Sequence, residues 1–143
     1  MRTPLAVFFL ACVLLSGTPL GGEAQTYTCL PDTAEKTQIL RDDIVSLVTA
    51  TDSETVATRS AYQLPAVAAS KVTVVTTASV CRKAGAAYHA AVTPPGTPPI
   101  ARTLVVIKVG TTRYVVLDPT ERAGEFENHI VFDSRWNRLI GFS

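Results

Sequence analysis

The run Pro94-Pro-Gly-Thr-Pro-Pro99 divides this chain of 143 residues into two halves whose apolar residues recur with different periods. Proline has a fixed φ and no amide donor, so the run suits neither a helix interior nor an inner strand. It predicts a stiff, exposed connector at 93–99. Before it the apolar spacing is helical, and beyond it the period falls to two. Helices followed by strands point to an α+β fold: N-terminal helices packed as one layer on a mainly antiparallel sheet of about four to five strands, with a C-terminal β-meander.

In the first half, Asp32 and Glu35 have the spacing of a capping box behind Pro31, and Leu40, Ile44, Leu47 and Val48 fall on one face of the helix they would start. Thr51 or Asp52 with Glu54 opens a second, shorter helix to about Tyr62, before Pro65. Lys71 to Thr76 reads as a buried strand, and Thr77 as the cap of a third helix striped with Val80, Ala84, Ala87, Tyr88 and Ala91. In the second half, Ala101–Val109, Arg113–Asp118, Phe126–Asp133 and Trp136–Phe142 read as strands. Short links around Gly110 and Ser134 make antiparallel neighbours. The first two strands are apolar at both parities and so belong inside the sheet, whereas Phe126–Asp133 carries Glu127 and His129 and reads as half exposed. Residues 25–28 are expected to be disordered.

Arg2, the unbroken apolar run Leu5–Leu15 and the small residues Gly22 and Ala24 make the three-part pattern of a signal peptide over residues 1–24. As a helix that run reaches about 16 Å, half of a ~30 Å hydrocarbon core, which argues against a permanent membrane anchor. Cleavage is expected after Ala24, with Gly22 the second choice, leaving residues 25–143 as a single domain. The setting is then periplasmic or extracellular, and the leader style with an Ala- and Val-rich composition points to a bacterial export substrate.

Cys12 leaves with the leader, so Cys29 and Cys81 remain as an even pair in an oxidising compartment and read as one structural disulfide. Closing so large a loop contributes about 4 kcal/mol in the chain-entropy model.

The charge balance, 13 Lys and Arg against 12 Asp and Glu, gives no basis for a nucleic-acid partner. His89 and His129 lie far apart, which argues against a zinc site, and the carboxylates Asp118, Glu121, Glu125 and Glu127 lack the register of a calcium loop. They read as a solvated turn. There is no G-x-S-x-G elbow and no phosphate-binding glycine loop, so neither a metal nor a cofactor is expected. Four strand steps, about 13 Å, separate His129 from Asp133 and keep them from pairing within a straight strand. No catalytic residue is assigned. Arg113, Tyr114, His129, Arg135 and Trp136 remain as candidate binding residues, because aromatics beside arginines dominate recognition surfaces. For Trp136 core packing is the favoured reading over binding, because strand parity puts it with Arg138, Ile140 and Phe142 on a mostly apolar face.

These features favour a small exported, non-catalytic domain that binds a protein or another cell-envelope component. The competing reading is a small secreted hydrolase whose site assembles only in three dimensions. Nothing in the sequence sets an oligomeric state.

Overall fold

The computed structural model describes residues 27–96, 102–119 and 129–142. The leader and its cleavage site, residues 97–99 of the connector with 100 and 101 after it, and Glu121, Glu125 and Glu127 lie outside the described residues. Among the described residues the fold is α+β, with three α-helices and one mixed, six-stranded sheet.

In chain order these are β1 (Tyr27–Cys29), α1 (Glu35–Thr49), α2 (Ser53–Ala61), β2 (Val72–Val75), α3 (Ala78–Val92), β3 (Arg102–Val109), β4 (Thr112–Leu117), β5 (His129–Phe132) and β6 (Arg138–Phe142). The sheet runs β1-β3-β4-β5-β6, and β2 shares the β1 edge of β3. β1 pairs parallel with Arg102–Leu104, while β2 pairs antiparallel with Val106–Val109. The remaining pairs are antiparallel, which completes the expected meander.

Helices cover both faces of this sheet, where the sequence pattern had pointed to a single helical layer. Val105, Ile107 and Val109 of β3 pack with Leu40, Ile44, Leu47 and Val48 of α1. The alternate residues Leu104 and Val106 pack on the other side with Cys81, Ala84 and Tyr88 of α3. The apolar residues at both parities of β3 and β4 are the cause, since each parity needs its own cover. α1 and α3 stand on opposite faces because strand β2, between them in sequence, lies in the plane of the sheet.

Local chemistry accounts for the helix ends. Asp52 caps α2, its carboxylate accepting from the amide of Thr55 at 2.9 Å. Arg59 of α2 reaches back to donate to the carbonyls of Leu47, Val48 and Ala50, which α1 leaves without intrahelical partners. Arg138 of β6 donates to Ala91 at the end of α3. The expected capping box does not form. The amide of Ala34 donates to Pro31, closing a turn that includes Asp32, so α1 starts at Glu35 with Ala34 as its N-cap.

Two further expectations are corrected. Tyr27 and Thr28 are not disordered but belong to β1, because Tyr27 is buried against α3 and Cys29 sits at disulfide distance from Cys81, with Cα atoms 5.7 Å apart. A Cβ on Gly85 would stand 2.1 Å from Cγ of Tyr27, so this approach of strand to helix requires glycine. β5 is buried at every position rather than half exposed, because it lies between β4 and β6 with a core on each side. β2, by contrast, is only half-buried, as an edge strand. No helix among the described residues is long and apolar enough to cross a membrane.

Candidate functional site

Helix α3 covers one side of its sheet face more than the other. Its buried residues, Cys81, Ala84, Gly85 and Tyr88, lie chiefly on β1. The last row before the β3–β4 turn is therefore left open on this face, and it carries Lys108 opposite Arg113. The turn itself has two residues, with Gly110 at a φ of +61° that glycine adopts without strain. That short link fixes the register and hence the facing of the two cations.

The open row forms a cleft of about 290 Å³. Val75, Val80 and Val106 supply its apolar floor, Lys83 and Ser79 enter from the first turns of α3, and Lys108, Arg113 and Trp136 complete it. Trp136 is half-buried in the turn between β5 and β6, packed against Phe132 at 5.6 Å between ring centres. Arg113 lies over the indole, its guanidinium carbon 5.0 Å from the ring centroid, and donates to the carbonyl of Thr111. The guanidinium is thus held on two sides.

Trp136 adopts a φ of +64°, a left-handed conformation uncommon outside glycine. Asp133 holds it there. The Asp133 carboxylate accepts from the amides of Arg135 at 2.8 Å and Asn137 at 2.9 Å, and from the Asn137 side chain at 3.1 Å. Those hydrogen bonds, led by the Asn137 amide, hold its carboxyl below the usual carboxylate range. The turn residue is therefore positioned by a network rather than by the strand parity that the sequence implied, because β6 begins only at Arg138.

The cleft is cationic, and no ion pair among the described residues compensates it. Ion pairs among the described residues join Arg41 to Asp42 and Arg102 to Asp118, and neither involves Lys83, Lys108 or Arg113. Like charges directly opposite on neighbouring strands repel, so Lys108 and Arg113 cost stability at rest. A larger cavity of about 560 Å³ near the start of α1 has Glu35 beside Lys36, whose charges offset each other. It offers no comparable attraction.

The five candidate binding residues separate accordingly. Arg113 and Trp136 meet in the cleft. Tyr114 and His129 are instead wholly buried on the α1 face, ring centroids 5.2 Å apart and stacked, with Tyr62 of the α2 end edge-on to His129 at 5.3 Å. Burial lowers the His129 pKa to about 4 and pushes the Tyr114 phenol far above its usual range. His129 is thus a neutral core residue near pH 7, not an accessible binding group. Arg135 is exposed in the turn and lines none of the cavities described above. Lys83, Lys108 and Ser79 were missed. The Lys108–Arg113 pair could have been found by counting outward from Gly110 and Thr111, whereas Lys83 arrives from a distant helix.

Among the described residues no group of three or more His, Cys, Asp or Glu could hold a metal ion. The chain matches no family model, no curated protein and no solved structure.

Proposed function

We propose that this chain is a small exported domain that works by binding a cell-envelope component, not by catalysis, and that it does so at the cleft of Lys108, Arg113 and Trp136. The single observation behind this reading is the pair of cations facing each other beside a held indole, with no ion-pair partner among the described residues. A fold has no stability reason to keep such a pair, and a ligand that neutralises it gains from both charges. Arginine and tryptophan are also the residue types that most often anchor binding surfaces. Cys29 and Cys81 at disulfide distance are compatible with the exported setting. For the competing hydrolase reading, His129 or His89 would have to reach substrate; His129 is sealed in the core, and His89 lines neither cavity described above.

The test is retention of envelope extract on the immobilised chain and on its Lys108→Glu variant, with proteins and lipids both identified. A component held by the first and released by the second supports the reading. Equal retention by both, or none by either, contradicts it.

A further inference from the structure

We infer that the cleft takes a phosphomonoester whose organic part is small and apolar; the inference rests on the cleft being the binding site proposed above. Three cations, Lys83, Lys108 and Arg113, enter one cleft, and no carboxylate among the described residues pairs with them. A phosphomonoester near neutral pH carries nearly two negative charges on three terminal oxygens, so it can engage two ammonium groups and one guanidinium together. A carboxylate has one charge and two oxygens, so by charge it leaves two of the three cations uncompensated.

The remaining surface sets the rest of the ligand. Val75, Val80, Val106 and the Trp136 ring offer an apolar wall and floor. Free inorganic phosphate would leave them in contact with water. The volume of about 290 Å³ corresponds to about ten waters, which suits a phosphate bearing a single ring or short chain and excludes a large body. Ser79 adds a hydroxyl from the first turn of α3, whose N-cap Thr77 makes no side-chain cap, so the positive end of that helix also favours an anion. Arg113, fixed by Trp136 and Thr111, presents its planar fork with little ordering left to do.

The same group could arrive free in solution or as a lipid headgroup, and the experiment separates the two. Trp136 is the only tryptophan of the chain, so its fluorescence reports on the cleft alone. The full disulfide-linked chain is titrated with phenyl phosphate, inorganic phosphate, benzoate and benzyl alcohol, and with phosphatidylcholine vesicles with and without phosphatidate. Phenyl phosphate is expected to give a saturable change, with inorganic phosphate and benzoate about tenfold weaker or more and benzyl alcohol silent. Lys108→Glu is expected to lose phenyl phosphate affinity by at least about tenfold while melting no lower than the parent chain, which separates lost binding from lost folding. A response to phenyl phosphate and to phosphatidate vesicles alike extends the assignment to a lipid headgroup, whereas a response confined to phosphatidate keeps the phosphate but overturns the small apolar organic part.

Benzoate binding as tightly as phenyl phosphate overturns the phosphomonoester while leaving the cleft standing as the binding site. An unchanged titration of Lys108→Glu, or no response to phenyl phosphate and phosphatidate alike, also overturns it. In that last case the retention comparison above decides separately whether the cleft binds anything.

Discussion

Lys108 and Arg113 are direct cross-strand partners in β3 and β4, two positive side chains facing one another one step from a two-residue turn. Cross-strand pairs of opposite charge contribute about 0.2–1 kcal/mol, and like-charged pairs cost a similar amount. Lys108→Glu is therefore expected to raise the urea midpoint of unfolding, although it replaces an exposed lysine. A lower midpoint would mean that Lys108 has a stabilising partner.

Gly85 admits the Tyr27 ring to the surface of α3. In an exposed helix, replacing glycine by alanine gains up to about 1 kcal/mol of propensity. Here the added methyl meets ring carbons well inside contact distance, and overpacking of this kind costs about 1–3 kcal/mol. Gly85→Ala is expected to lower the melting temperature. Ala86→Gly, at the exposed neighbouring position, should cost only the propensity term. Stabilisation by Gly85→Ala would show that β1 does not press on α3.

Burial of His129 between Tyr114 and Tyr62 links stability to pH. Its folded pKa, about 4, lies below the usual value of 6.5, so between those values the unfolded chain binds a proton that the native chain refuses. Stability is then full above about pH 6.5 and declines as the pH falls toward 4, by up to about 3 kcal/mol. Burial raises the Tyr114 phenol far above this range, and Asp43 of α1 is the carboxylate whose charge bears on Tyr114. Urea midpoints across pH 4.5–7.5 should fall with acidity for the parent chain and less steeply for His129→Phe. Parallel curves would remove His129 as the cause.

Cys29 and Cys81 tie β1, the short parallel strand, to the helix that covers it. Replacing both by alanine is expected to cost about 2–4 kcal/mol and to expose β1 amides to hydrogen exchange before those of β4. Non-reducing peptide mass spectrometry should recover the two cysteines in one linked fragment, and free thiols at both positions would contradict the pairing.

What the sequence revealed divides by range. Asp52 and Thr55 are three residues apart, and Gly110 closes a two-residue turn, so the α2 cap and the β3–β4 hairpin were legible from neighbours alone. The stripes of α1 and α3 were legible from period. Which face each helix covers was not, because that depends on where β2 joins the sheet. β1 has three residues and no pattern to read; its place comes from Gly85 and Cys81, more than fifty positions away. Asp32 shows two local signals in conflict, with the Pro31–Ala34 turn overriding the capping box. The candidate site suffered most. His129 looked exposed because its strand carries polar neighbours, and Trp136 was assigned by a strand parity that its left-handed backbone does not obey.

Amide and indole N–H chemical shifts, followed while the chain is titrated with phenyl phosphate, locate the ligand contact residue by residue. The shifts are expected to concentrate at Ser79–Lys83, at Lys108–Arg113 and on the Trp136 indole, with the amides of Ile44 and His129 unmoved and the pattern abolished by Lys108→Glu. Shifts that gather on the α1 face, or that persist in Lys108→Glu, would contradict the assignment of binding to this cleft.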